Sequence, residues 1–233
     1  MWAFHRQSDL GRTVALYRLT MDALPHNLRP LYNVCPTDPV DVVTAAEGKR
    51  ELATMRWGLV PWWWSKPLKE LRMATFNAPA ETVETKPVFR DGFKRTRCLI
   101  PMSGHYEWKD TPSGKQPSYF TAADDSPLLT AAGLWHEWKN RETGERLKSC
   151  TMIITEPNEL AAEIHDRMPV FLTQDQFALW LNGEAGAEYL EPVPNGWPVS
   201  KRVNSSKADA DDATLIEHAA AIPLLGRTSL AGS

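Results

Sequence analysis

Two hydrophobic periods alternate along this chain. Over residues 10–24, Val14, Tyr17, Met21 and Leu24 recur at helical spacing while Arg12, Arg18 and Asp22 occupy the rest of the wheel, which predicts an amphipathic helix ended by Pro25. A turn-rich segment covers 25–39. The pattern then shortens to apolar runs that predict strands at 40–45 and 51–57. Residues 58–72 combine Gly, Pro and Trp and read as a long loop held by aromatic packing, a kind of loop that often carries function. A short strand at 73–78 and a basic turn or short helix at 87–94 lead into the apolar run that begins at Cys98.

Hairpins dominate the middle of the chain. Asp110-Thr-Pro-Ser-Gly-Lys separates 106–109 from 118–122, and the polar run 139–146 separates 128–135 from 148–155, so two hairpins are predicted. Residues 157–164 predict a short helix entered through Pro157, and Thr173 with Gln176 has capping-box spacing ahead of Phe177, Trp180 and Leu181, a helix stopped at Gly183. No segment repeats. The fold class is therefore α+β: a single β-rich domain of twisted, barrel-like antiparallel or mixed sheets with a few flanking helices, expected over 1–208. Residues 209–233, rich in Ala, Asp and Ser without an apolar period, are expected to be a loosely held tail.

Composition adds one asymmetry. An apolar fraction of 42% over 233 residues is enough for a sizeable core, and the net charge is only −3. Yet residues 56–115 hold eleven Lys or Arg against six Asp or Glu, and Trp57, Trp62, Trp63 and Trp64 fall in the same stretch. Rings interleaved with cations suit single-stranded nucleic acid, whose bases stack while its phosphates follow the cations; core packing is the ordinary fate of any one tryptophan. Cys35, Cys98 and Cys150 are widely spaced, with no C-x-x-C pair, so neither a disulfide framework nor a zinc site is indicated. Cys98 and Cys150 read as small buried hydrophobes. With no cleavable leader and no run of membrane-spanning length, a cytoplasmic monomer without cofactor or metal is expected.

Four polar residues stand in apolar or turn-rich settings. Glu107 lies between Tyr106 and Trp108 at the end of the apolar run 98–103; rings on both sides of a carboxylate disfavour its ionised form and poise it for proton transfer, whereas an outward-pointing strand residue would be inert. Asn33 shares one side of an extended segment with Cys35, which places a thiol beside it, or else serves as a turn former. His165, ahead of Asp166, is either a structural imidazole or a proton donor near neutral pH. Asn77 is the fourth.

The segments Tyr32-Asn-Val-Cys-Pro-Thr, Trp57-Gly-Leu-Val-Pro, Phe76-Asn-Ala, Cys98-Leu-Ile-Pro through Tyr106-Glu-Trp, and Ile164-His-Asp-Arg-Met-Pro succeed one another in this order, with Pro198-Val-Ser and Val203-Asn204 beyond. From Asn33 to Asn204 the chain resembles the SRAP family, named for SOS-response-associated peptidase. The resemblance implies a DNA-damage protein that senses abasic sites in single-stranded DNA and becomes covalently linked to them. In the family an N-terminal cysteine at position two supplies amine and thiol together: the amine forms a Schiff base with the ring-opened sugar and the thiol closes a thiazolidine. The resemblance makes Glu107 the proton shuttle, has Asn33 orient the N-terminal residue, and has His165 bond or protonate the sugar oxygen. It assigns strand binding to Trp63, Trp64, Asn77, Arg167 and Pro36. The peptidase name corresponds to a self-processing step at the N-terminus.

This chain departs from that pattern at its start. Position two is Trp2, which carries no thiol, and Pro79 and Trp62 replace an arginine and a small residue usual in the family. Three readings are open: a start that differs from Met-Cys-Gly-Arg by error or alteration, a binding module without the crosslink, or a lyase-like activity through a Schiff base on the amine of Met1 or a thiohemiacetal on Cys35.

Overall fold

Val40 and Val42 pack into one apolar cluster and Val43 into another in the computed structural model, in which residues 3–6, 10–19, 30–122, 128–186, 194–198, 201–205 and 207–217 are described. In chain order the strands are β1 (Ala3–Arg6), β2 (Leu31–Val34), β3 (Pro39–Ala46), β4 (Lys49–Trp57), β5 (Asn77–Pro79), β6 (Arg97–Met102), β7 (Gly104–Thr111), β8 (Gly114–Ala122), β9 (Leu129–Lys139), β10 (Arg146–Thr155), β11 (Met168–Pro169) and β12 (Pro194–Pro198). The helices are α1 (Leu10–Tyr17), α2 (Arg90–Arg95), α3 (Glu159–Ala162) and α4 (Gln176–Leu181).

Strands β10, β4, β3, β6 and β9 pair in sequence, and β9 pairs back onto β10, so these five close into a barrel. The β10–β4 pairing is parallel and the rest antiparallel, which makes the barrel mixed. Period-two alternation divides its side chains. Val40, Val42, Met55, Trp57, Cys98, Ile100, Ala131, Cys150 and Met152 form one apolar cluster inside. Val43, Leu52, Leu99, Ala132, Leu134 and Ile153 face outward under Tyr17, Phe93, Phe177 and Trp180 from the helices. Burial of each large side chain contributes roughly 1.5–3 kcal/mol, so both faces of these strands hold the fold together. The Arg97 guanidinium joins α2 to α4, lying 4.2 Å from the Phe93 ring centre and 4.4 Å from that of Trp180.

A second, antiparallel sheet runs β12-β8-β7-β1-β2. Its outer face carries Tyr32, Tyr106, Trp108 and Tyr119, covered by Val203 and Leu215 from the C-terminal segment. The Tyr32 amide donates to the Ala210 carbonyl and the Trp108 indole to Asn204 Oδ1 at 2.6 Å. Residues 209–217, expected from sequence to be part of a loosely held tail, thus lie against this sheet, with Leu215 buried and Ile216 packed beside it.

The expected elements are present with shifted ends. The helix predicted over 10–24 is described from Leu10 to Tyr17, and residues 20–29 lie outside the described part. Strand pairing extends both hairpins toward their turns, to Thr111 and Gly114 in one and to Lys139 and Arg146 in the other. The predicted strand at 73–78 is reduced to Asn77–Pro79 on the edge of β10, and at the predicted capping box Gln176 Oε1 accepts from the Thr173 amide at 2.8 Å. All three cysteines are free and buried.

Candidate functional site

Strand β7 carries rings on one face and titratable groups on the other. Tyr106 and Trp108 face the C-terminal segment, while His105 and Glu107, two residues apart, face the opposite way. His105 stacks on Phe120 with ring centres 5.2 Å apart and meets Phe171 at 5.3 Å. Glu107 is completely buried, and neither carboxylate oxygen has a hydrogen-bond partner among the described residues. Burial pushes its pKa well above the usual carboxylate range; the charge of the amino terminus opposes this shift and that of Asp166 adds to it. Strand β1 enters beside this carboxylate, Ala3 lying opposite Tyr106.

Asp166 belongs to the turn between α3 and β11, where a groove of about 570 Å³ is lined by Glu156, Pro157, Ile164, His165, Asp166 and Arg167. His165 Nδ1 accepts from the Arg167 amide at 3.1 Å and lies 3.0 Å from an Asp166 carboxylate oxygen. Arg167 pairs with Glu81, just beyond β5. Strand β10 explains this neighbourhood, because Met152–Ile154 binds Asn77–Pro79 on one edge while Ile154–Thr155 binds Met168–Pro169 on the other. Asn77, His165 and Arg167 therefore gather at one end of β10.

The tryptophan loop takes a different course. Gly58 donates to the Cys150 carbonyl and Val60 to Ser149 Oγ, so the loop turns back along the barrel, and the Trp138 indole donates to the Trp64 carbonyl at 2.7 Å. Trp62 and Trp63 remain 55% and 38% exposed, with the Trp62 indole donating to Asp91 at 3.1 Å, whereas Trp64 is half-buried. Pro36 is also half-buried, at the corner between β2 and β3. There Thr37 adopts φ 86°, a strained value for a β-branched residue, held by its amide donating to the Trp57 carbonyl at 2.7 Å.

Asn33 is buried, and its described contacts run to the C-terminal segment and to its own strand. Its Nδ2 donates to the Ser205 carbonyl at 3.0 Å, and the Cys35 thiol lies 3.6 Å from its Oδ1, as the shared side of an extended segment requires. Burial, and then the Asp38 charge, push the Cys35 pKa up to about 11, so this thiol is protonated at neutral pH. Trp2 lies outside the described residues. Among the described residues no three His, Cys, Asp or Glu side chains group to hold a metal, and no helix is long and apolar enough to cross a membrane.

Sequence reasoning gave no role to His105, and it named Asp166 only as a neighbour of His165. For His105 the signal was present: on a strand, position 105 shares a face with 107. Asp166 acts on Glu107 through the turn before β11, which no spacing in the sequence reveals.

The family model described as "SOS response associated peptidase (SRAP)" matches residues 3–206. The chain belongs to the SRAP family. Among SRAP relatives, it is 35% identical over 188 residues to the abasic site processing protein YoaM of Bacillus subtilis, an alignment covering 77% of this chain and 82% of that one. It is 33% identical over 213 residues to the abasic site processing protein HMCES of Xenopus tropicalis, covering 77% of this chain and 64% of the longer relative. A crystal structure of a protein from Bacteroides thetaiotaomicron superposes with a TM-score of 0.81 at 27% identity, over 93% of this chain and all of the other. Glu107, Asn77 and His165 all fall inside the span matched by the SRAP model.

Proposed function

We propose that this SRAP protein acts in the DNA-damage response by binding abasic sites in single-stranded DNA, with Glu107 as the acid–base group of the site. The observation that carries this reading is the buried carboxylate, without a hydrogen-bond partner among the described residues, beside the start of β1. A group so desolvated is costly to keep, and its raised pKa favours the protonated form, so that the carboxyl can give a proton as well as take one. Opening the abasic sugar requires such a group: the anomeric hydroxyl gives up a proton, the ring oxygen gains one, and a free aldehyde results. His165, in the groove that also holds Asp166, is the hydrogen-bond partner of the sugar, and Asn33 orients the segment that precedes β1. Trp63 and Trp64 stack bases, joined by the exposed Trp62 beside them, while Asn77, Arg167 and Pro36 contact the strand. Relatives at 33–35% identity that bear the name abasic site processing protein support the substrate class.

Trp2 supplies no thiol, so a thiazolidine has no source at that position; an amine alone takes the aldehyde only as far as a reversible imine. The test is a single-stranded oligonucleotide with one abasic site, mixed with the protein and run on a denaturing gel with and without borohydride. Retention of the abasic strand over an intact strand in native gels is expected, with a denaturing-gel band only after reduction. A heat-stable band without borohydride would overturn the assignment of position two, and equal binding of intact and abasic strands would overturn the substrate. Trp2→Cys is expected to give the heat-stable band.

A further inference from the structure

His105 and Glu107 are the two buried titratable side chains on the inner face of β7, and they face each other. Imidazole Nε2 lies 3.9 Å from carboxylate Oε1, with both side chains almost completely buried. That distance is too long for a hydrogen bond and within ion-pair reach, so a small rotation of either side chain closes it. Among the described residues both carboxylate oxygens and His105 Nδ1 have no hydrogen-bond partner, and the imidazole is fixed between Phe120 and Phe171. Two polar groups left unsatisfied side by side in an apolar setting are a costly arrangement, which a mutual hydrogen bond relieves.

We infer that His105 is the positioning residue of Glu107, its Nε2–H donating to Oε1 so that the other oxygen, Oε2, is aimed and left free for the substrate. This rests on the reading of Glu107 as the acid–base group. In the sugar-opening step Oε2 takes the proton of the anomeric hydroxyl and returns one to the ring oxygen, while the imidazole keeps its Nε2 proton and stays neutral. Burial supports that neutrality, lowering the His105 pKa to about 3. The charges acting on Glu107 from other elements are the amino terminus, which favours the carboxylate, and Asp166, which disfavours it; a donor on its own strand adds to the first.

The first test needs no substrate. In the full chain labelled with ¹⁵N-histidine, one imidazole, assigned by its loss in His105→Gln, is expected to show the Nε2–H tautomer between pH 5 and 8 and to shift in Glu107→Gln. An Nδ1–H tautomer, or signals indifferent to Glu107→Gln, overturns the inference. The second test uses borohydride trapping on the abasic oligonucleotide. His105→Phe keeps an aromatic ring and removes the donor, so the rising acid limb of the trapping rate is expected to move up by about one pH unit, with a roughly tenfold slower rate along that limb. His105→Gln, whose side-chain amide still donates, is expected to recover most of the wild-type profile. An unchanged limb in His105→Phe overturns the inference, and should that variant not fold, the tautomer and Glu107→Gln arms still decide. If the wild type traps nothing, the reading of Glu107 in catalysis fails while the tautomer result stands as the judgement on the pair.

Discussion

Ala3 stands directly opposite Tyr106 in the five-stranded sheet, one residue along β7 from Glu107. The start of the chain is thereby tied to the buried carboxylate by strand register and not by loop geometry. The residues that carry the proposed chemistry thus depend on the same backbone ladder that holds β1, β2 and β7 together.

Glu107 makes a pH-dependent contribution to stability that substitution exposes. Its folded pKa is raised above the unfolded value, so the stability it permits is present below the unfolded pKa and lost as pH rises toward the folded one. Glu107→Gln removes that loss. The variant is expected to converge with the wild type near pH 5 and to exceed it at pH 8, the gap opening by at most about 1.4 kcal/mol per pH unit above the unfolded pKa. Thermal unfolding at the two pH values measures this; a pH-independent difference would contradict it.

Buried histidines act in the other direction, and three are buried among the described residues: His5, His105 and His136, each with its pKa lowered by burial. His5, stacked on Tyr32 at 4.4 Å, has its pKa lowered to about 4 by burial, and His105 to about 3. Both are neutral when folded and take up a proton on unfolding below their ordinary value of 6.5, so stability present above that pH is lost as pH falls through it. Each group accounts for about 1.4 kcal/mol per pH unit within that window. Urea midpoints between pH 7 and 5 are expected to fall, less steeply in His105→Phe than in the wild type.

Cys35 gives a direct chemical readout. A thiol with its pKa pushed up to about 11 is a poor nucleophile at neutral pH. Alkylation of Cys35 by iodoacetamide is expected to be far slower at pH 7 than that of a free thiol, and Cys35→Ser is expected to leave any borohydride-trapped band intact. Loss of the band in that variant would move the imine-forming chemistry onto this cysteine's neighbourhood.

Two glycines separate rigid from yielding surroundings. A Cβ at Gly104 would meet the Phe120 carbonyl oxygen and the Tyr119 ring, each within 2.5 Å, and the carbonyl is backbone in the β7–β8 ladder. A Cβ at Gly133 would meet Ile100 at 2.8 Å and the Cys98 sulfur at 2.9 Å inside the barrel. Gly133→Ala is expected to cost about 1–3 kcal/mol through overpacking, and Gly104→Ala more, because backbone cannot rotate away. Denaturant titration of the two variants orders them.

Trp63 tests the strand surface without touching the core. Being more than a third exposed, it can be truncated with little loss of stability, while base stacking is worth about 1–3 kcal/mol per ring. Trp63→Ala is expected to weaken binding of single-stranded DNA roughly 5- to 150-fold at unchanged thermal stability, with salt dependence preserved because the cations remain. A loss of stability equal to the loss of affinity would make this ring structural.

The sequence by itself determined the strands, the hairpins, the α+β class and the suspicion attached to Glu107, because period-two alternation and turn residues are local properties of the chain. The apolar run at 40–45 already read as a strand, and a carboxylate between Tyr106 and Trp108 already stood out, although in the fold those two rings turn to the opposite face of β7. The tertiary structure decided what local pattern does not encode: closure of the barrel through β9 and β10, the gathering of Asn77, His165 and Arg167 at one end of β10, and the docking of Leu215 on the second sheet. It also decided that Glu107 is fully desolvated and that His105 is its neighbour. Desolvation and long-range pairing depend on residues brought together from distant parts of the chain, and only the closed fold brings them together.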